Sequence, residues 1–180
     1  MAGHPGGPTA AERVPAPGNF VTTEGEIIVD GKIIGKDTDF PKNTGIIIET
    51  PGFIPYYSGY KNLKLLAGLS GKIGKDEIYK TMEQVGLNPK LKRHVKKYSL
   101  GMRQRLGLAQ AIMENPQILL LDEPFNGLDE DGVKEMREYL LNYKEKGKTI
   151  LLCSHSAEDI DLLCDTVCEM DKGVLSVVKK

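Results

Sequence analysis

Short runs of consecutive apolar residues alternate along this chain with segments whose apolar positions recur at helical spacing. The runs predict strands at residues 46–48, 117–121 and 149–153. The second is apolar at every position from Ile118 to Leu121, which predicts burial on both faces. Helical patterns occupy residues 76–85, 91–97, 130–146 and 157–163, and one more leads from Ser99 to about Met113. The alternation predicts an α/β fold with a mostly parallel sheet.

Shorter signals lie near both ends of the chain. Residues 26–29 predict a strand that is followed by a turn at Asp30-Gly31, and residues 167–170 begin a hairpin turned at Lys172-Gly173. A cluster of Phe53, Tyr56, Tyr57 and Tyr60 lies in a turn-rich segment, where it forms either local core or part of a partner-binding groove.

Two acidic residues mark the end of the central apolar run. Asp122 and Glu123 follow the strand directly, and the carboxyl ends of parallel strands are where ligands collect in α/β sheets. One carboxylate there can hold Mg²⁺ through water, and its neighbour can orient or deprotonate an attacking water. The alternative is a pair of acids that caps the following turn.

Ser99 precedes a helical pattern that includes Leu106, Leu108 and Ile112. Its hydroxyl and the first free backbone amides of the helix can form an anion site for a phosphate group. The same atoms also serve a plain N-cap serine, so both interpretations stay open.

Four motifs in order resemble the ATP-binding cassette family, the nucleotide-binding subunits of ABC transporters, over about residues 25–175. Tyr98-Ser99-Leu100-Gly101-Met102 resembles the Leu-Ser-Gly-Gly-Gln signature, with Ser99 and Gly101 retained. The apolar run with Asp122-Glu123 resembles the Walker B strand, Asn126-Gly127-Leu128-Asp129 the D-loop, and Ser154-His155 the switch histidine. The resemblance implies a P-loop NTPase fold of ABC type, with an inserted α-helical subdomain at about residues 55–100.

The resemblance also implies roles for these residues. Glu123 would be the catalytic base, His155 the contact to the γ-phosphate, Asp122 the Mg²⁺ ligand, and Asp129 the residue that communicates across a dimer. Ser99, Leu100, Gly101 and Met102 would bind, in trans, the ATP held by a second nucleotide-binding subunit. A separate transmembrane permease would be the other partner.

Glu49 occupies the place of the glutamine that ends the family's Q-loop strand, and a carboxylate can still reach Mg²⁺. The stretch Glu49-Thr50-Pro51-Gly52-Phe53, together with the altered signature, looks like the subgroup associated with bacitracin-type and lantibiotic peptide export.

The family's phosphate-binding string, Gly-x-x-x-x-Gly-Lys-Ser/Thr, does not occur in this sequence. Gly3 and Gly6 fall in its register, but Thr9 and Ala10 stand where the lysine and the Mg²⁺-binding hydroxyl belong. Residues 1–18 are rich in Gly, Pro and Ala, which predicts a tag-like segment or a degenerate P-loop. Residues 19–180 are then expected to form a partial nucleotide-binding domain that lacks the N-terminal strands.

Composition and charge limit the classes of function that remain. A formal net charge of −1 gives no indication of nucleic-acid binding, and no apolar run reaches the length of a membrane span. Cys153, Cys164 and Cys168 show no zinc pattern, so reduced and partly buried thiols are expected. The chain is expected on the cytoplasmic face of the membrane, held there by its partner.

Two functions of different classes follow. One is an ATP-hydrolysing subunit that energises export of a peptide or drug-like substrate. The other is a cassette without turnover that lends its signature to a partner's site, or an inactive fragment. A DNA-repair ATPase of the same family is disfavoured because no long coiled coil interrupts the domain.

Overall fold

The computed structural model describes residues 24–48 and 52–179, which fall into two compact units that divide between Lys42 and Asn43. In the first unit, strand β1 (Ile28–Val29) pairs with strand β2 (Lys32–Ile33) in an antiparallel hairpin. Asp30 and Gly31 both have positive φ, 49° and 72°, as the predicted turn requires. The sequence pattern indicated the first strand and the turn but missed the second strand.

A three-stranded parallel sheet is the centre of the second unit. Strands β3 (Thr44–Ile47), β4 (Ile118–Asp122) and β5 (Thr149–Cys153) lie in the order β3-β4-β5, which confirms the predicted parallel sheet. The prediction that the central strand is buried on both faces is wrong for one face within the described residues. Leu119 and Leu121 are buried there, whereas the alternate positions of β4 are half-buried.

Helices α1 (Gly59–Ser70) and α2 (Lys75–Gln84) form the helical segment between β3 and the signature. The prediction for α2 is confirmed, while α1 was not predicted. The helix predicted at residues 91–97 is wrong, because only Val95–Lys97 form one 3₁₀ turn. The amides of Val95 and Lys96 donate instead to the carbonyl oxygens of Tyr57 and Pro55, at 2.8 and 3.0 Å.

Three further helices flank the sheet strands in sequence, and each begins where the pattern predicted it. They are α3 (Leu100–Ile112), α4 (Glu130–Glu145) and α5 (Ala157–Leu163), capped by the side chains of Ser99, Asp129 and Ser156. Helix α3 packs on β3 so closely that a side chain at Gly45 would collide with the carbonyl of Ala111. Buried residues of α1, α2, α3 and α4 join those of β3 and β4 in one core.

The described chain ends in an antiparallel hairpin of strands β6 (Val167–Asp171) and β7 (Val174–Lys179), turned at Lys172-Gly173 as predicted. All three cysteines are free; Cys164 is half-buried, whereas Cys153 and Cys168 are exposed, contrary to the expected partial burial. Among residues 24–48 and 52–179, no helix combines the length and the apolarity that a membrane crossing needs.

Candidate functional site

The carboxyl end of β4 is held by backbone hydrogen bonds around Glu123. This residue has a φ of 46°, a left-handed conformation that is uncommon outside glycine and that turns the chain sharply after the strand. Its amide donates to the carbonyl of Cys153 at 2.9 Å, and its own carbonyl accepts from the amide of Asn126 and from Nε2 of Gln104, both at 3.2 Å. The position of Glu123 is therefore fixed on both sides of its Cα.

The structure brings the two predicted catalytic residues together. The backbone amide of His155 donates to Oε1 of Glu123 at 2.9 Å, and Nε2 of the imidazole lies 3.7 Å from the same oxygen. The imidazole is fully exposed, while the Glu123 side chain is 28% exposed. The pair thus combines an anchored carboxylate with an imidazole that is open to a ligand.

Asp122 is the last residue of β4 and lies opposite Cys153 in the register of β5. Within the described part of the chain, its carboxylate has no hydrogen-bond or ion-pair partner. Adjacent oxygen donors suit Mg²⁺, which keeps several waters and takes only one or two carboxylates from a protein. No cluster of three potential metal-ligating side chains occurs in the described ranges, so such an ion would rely on these two acids and on ligand oxygens.

Three predicted site residues, Gly3, Gly6 and Glu49, lie outside the residues that the structure describes. Their roles stay predictions.

The signature segment forms the exposed start of helix α3. The Ser99 hydroxyl accepts a hydrogen bond from the amide of Met102 at 3.1 Å, which is the N-cap geometry that the sequence left as an alternative. A Cβ at Gly101 would lie 2.6 Å from the carbonyl oxygen of Gly127, and the Leu100 side chain packs on Gly127 itself. The signature and the D-loop are therefore in direct contact within this chain.

Asp129, predicted from the D-loop, caps helix α4 by accepting from the amide of Gly132 at 3.2 Å. It also lies 3.7 Å from Nη2 of Arg105, a residue of α3 to which the sequence assigned no role. Nη1 of Arg105 donates to the carbonyl of Val85 at 2.8 Å and contacts Glu135 at 3.0 Å. One guanidinium, only 15% exposed, thus joins α2, α3 and α4.

Gln104 and Arg105, two polar residues of helix α3 that face other elements, were the signals that could have identified this support. Gln104 shares a helical face with Leu108 and Ala111 and is 5% exposed, so burial of its amide demanded a partner. Arg105 lies against Gly86 and Gly132, where any side chain would collide with the guanidinium. Sequence alone named none of these contacts, because each partner is distant along the chain.

Comparison with known proteins gives a consistent family match. The family model described as ABC transporter matches residues 17–126. The chain is 44% identical over 163 residues to the uncharacterized ABC transporter ATP-binding protein YybJ of Bacillus subtilis (strain 168). The alignment covers 91% of this chain and 75% of YybJ. It is 46% identical over 132 residues to the bacitracin transport ATP-binding protein BcrA of Enterococcus faecalis, covering 73% of this chain but 43% of BcrA.

A further relative is the lantibiotic transport ATP-binding protein SrtF of Streptococcus pyogenes, 37% identical over 158 residues, with 88% of this chain and 68% of SrtF covered. Among solved structures, the dimeric, post-hydrolysis state of the ATP-binding cassette MJ0796 bound to ADP and Pi has a TM-score of 0.73 at 18% identity. The superposition covers 88% of this chain and 75% of the MJ0796 chain. At this identity it supports the fold alone.

Proposed function

The chain belongs to the ABC transporter family, and we propose that it is the ATP-binding and ATP-hydrolysing subunit of an exporter. A separate membrane permease would carry the substrate. Relatives named for bacitracin and lantibiotic transport support a peptide or drug-like cargo.

The observation that carries the proposal is the contact between Glu123 and His155. A catalytic base needs a fixed orientation as well as proton affinity, and the His155 amide holds Oε1 of Glu123 at 2.9 Å. The second oxygen is then the one that would accept a proton from the attacking water. The exposed imidazole of His155 would contact the γ-phosphate and help to align that water.

Asp122 is suited to hold Mg²⁺ through a bound water. When bound, the ion would neutralise charge that develops on the β- and γ-phosphates. Asp122 precedes the proposed base by one residue and lies on the strand itself, so the two carboxylates have fixed relative positions.

The signature segment would serve a second subunit. Ser99 and the first amides of α3 lie at the surface, where they would bind the γ-phosphate of ATP held by the opposite chain. Leu100, Gly101 and Met102 would form the rest of that surface. Asp129, beside Arg105 and next to the Gly127 contact, would report the state of one site to the other.

A surface of aromatic and basic residues supports contact with the permease at the cytoplasmic face. Tyr56 is 63% exposed, so it is not part of the core, and the ammonium of Lys96 lies 4.2 Å from its ring centre. His94 meets the same ring edge-on at 6.4 Å. Tyrosine is enriched at protein interfaces, so an exposed tyrosine ring supports such a contact.

The test of hydrolysis is phosphate release by this chain and by its Glu123→Gln variant, which keeps the side-chain shape and one oxygen for the His155 amide. Loss of a general base is expected to lower turnover by roughly 100-fold or more while ATP binding persists. Glu114→Gln, at the surface pair with Lys72, is the matched control and should retain full turnover. Equal turnover in Glu123→Gln and the unsubstituted chain would contradict the role of Glu123.

A second candidate function rests on the altered residues where a P-loop lysine is expected. In this second function the chain does not hydrolyse ATP itself. It supplies Ser99 and Gly101 to the ATP site of a partner cassette that has an intact P-loop. Mg-ATP calorimetry on Glu123→Gln separates the two: binding by this chain alone supports the ATPase, and binding only after such a partner is added supports the second function.

A further inference from the structure

The loop that carries His155 is closed by a ring of side-chain hydrogen bonds. Ser154 Oγ accepts from the amide of Ser156 at 3.1 Å and donates to Oδ2 of Asp159 at 3.5 Å. The ring is completed by Ser156 Oγ, which accepts from the amide of Asp159 at 3.2 Å. His155 lies at the middle of this ring, between the two serines.

Asp159 is the unusual member of the ring because it is a buried acid, 4% exposed. A buried carboxylate is costly unless a cation compensates its charge. Arg137 of helix α4 does so, with Nε at 2.7 Å and Nη2 at 2.5 Å from Oδ1. The other side of the guanidinium binds Glu158, which is 76% exposed, at 2.9 Å. Hydrogen bonds to Glu158 and Asp159 raise the pKa of Arg137 above its ordinary value.

The loop geometry decides where the catalytic pair can lie. Within the described residues, the one polar partner of the His155 ring is Glu123, and the ring is fully exposed, so its position depends on the backbone of the loop. Its backbone amide is the donor that anchors Glu123. A shift of the loop would therefore move the imidazole and release the carboxylate at the same time.

We propose that Asp159 and Arg137 are positioning residues for the Glu123–His155 pair. They touch neither the attacking water nor the phosphate. They act through Ser154, fixing the turn so that the His155 amide points at Oε1 of Glu123. This inference rests on the proposed ATPase function for its kinetic consequence, but its geometric part holds for the chain without nucleotide.

The test compares Asp159→Asn with Glu158→Gln, two amide substitutions next to each other that face the same arginine. Asp159→Asn removes the buried charge and is expected to speed hydrogen exchange of the His155 amide by about tenfold or more. It is also expected to lower kcat by roughly 10- to 100-fold, because small misplacements of catalytic groups are costly, with a much smaller change in KM. Glu158→Gln should leave both quantities within about twofold, since it removes only an exposed ion pair.

Ser154→Ala is the second variant, needed if Asp159→Asn does not fold. It cuts the link between the loop and the carboxylate but leaves the Arg137–Asp159 pair intact, so faster exchange and lower kcat are again expected. Unchanged exchange at His155 in a folded variant of either kind would overturn the proposal. If the unsubstituted chain shows no turnover, the proposed ATPase function fails, and the exchange measurement still decides the positioning role.

Discussion

Serine hydroxyls cap three helices in the described part of this chain, and phosphate binding is expected at only one of these serines. Ser58, Ser99 and Ser156 each accept a hydrogen bond from an amide of the first helical turn. Ser156 lies inside the loop ring of His155, and Ser58 lies at the start of α1. Ser99 alone opens a helix that contacts the D-loop glycine, Gly127. The location of the serine, and not the chemistry of its hydroxyl, therefore distinguishes a phosphate ligand from a plain helix cap.

Replacement of Ser99 and Ser58 by alanine tests that separation. Each substitution removes one cap and is expected to cost about 1 kcal/mol of unfolding free energy. Only Ser99→Ala is expected to lower ATP turnover, by about 10- to 100-fold, because a hydrogen bond to a charged group is stronger than a neutral one. Chemical denaturation and phosphate release measure the two effects. If both variants lose turnover equally, Ser99 is a structural cap and no more.

At the scale of elements, helix α3 is the part that links the site to the helical segment. Its first residues contact the D-loop, Gln104 holds the carbonyl of Glu123, and Arg105 joins α3 to the end of α2 and the start of α4. A displacement of α2 would thus reach the D-loop through one side chain. Gly86 and Gly132 make this possible, since neither could carry a side chain beside that guanidinium.

Substitution of Arg105 should show how much this link contributes to stability. Arg105→Met leaves the carbonyl oxygen of the buried Val85 without its donor, and is expected to lower the free energy of unfolding by about 1–3 kcal/mol. The loss of the contact with Asp129 adds little, because that side chain is 78% exposed. Glu135→Gln removes only a partner that is 63% exposed and should cost less than about 1 kcal/mol. Urea denaturation of both variants gives the comparison. Equal losses would mean that the exposed pair with Glu135 carries the contribution of Arg105.

The elements also show which structural features could be predicted from nearby residues in the sequence. Strands β4 and β5, the caps of α3, α4 and α5, and the final turn were predictable because each signal lies within a few residues of its effect. The contact of Glu123 with His155 was not predicted, although each residue was expected near the carboxyl end of a strand; it depends on the parallel register that sets Asp122 opposite Cys153. The error at residues 91–97 arose because amides that a helix would have used donate instead to the distant carbonyls of Pro55 and Tyr57.

Arg137 and Asp159 could not be paired from the sequence, because only the packing of α4 and α5 brings them together.

For the molecule as a whole, the two faces of the parallel sheet differ. Ile47, Leu121 and Leu152 are aligned across the strands on the face that packs into the core. Ile46, Leu120 and Leu151 are aligned on the other face, where Leu151 is 61% exposed. Among the described residues β5 pairs only with β4, so within that part of the chain its other edge has no partner strand and lies beside an apolar side chain.

This open face leads us to expect that the 180-residue chain self-associates at high concentration. An unpaired strand edge and exposed apolar surface both favour association, and a net charge of −1 provides almost no repulsion to oppose it. Leu151→Lys places a charge on that face and should lower the mass seen by light scattering, with little change in circular dichroism. Leu69→Lys is the control: Leu69 is more exposed, at 86%, but it lies on helix α1, whose backbone is paired internally. An equal reduction by both variants would assign the association to exposed leucines in general, whereas an effect of Leu151→Lys alone would assign it to the sheet.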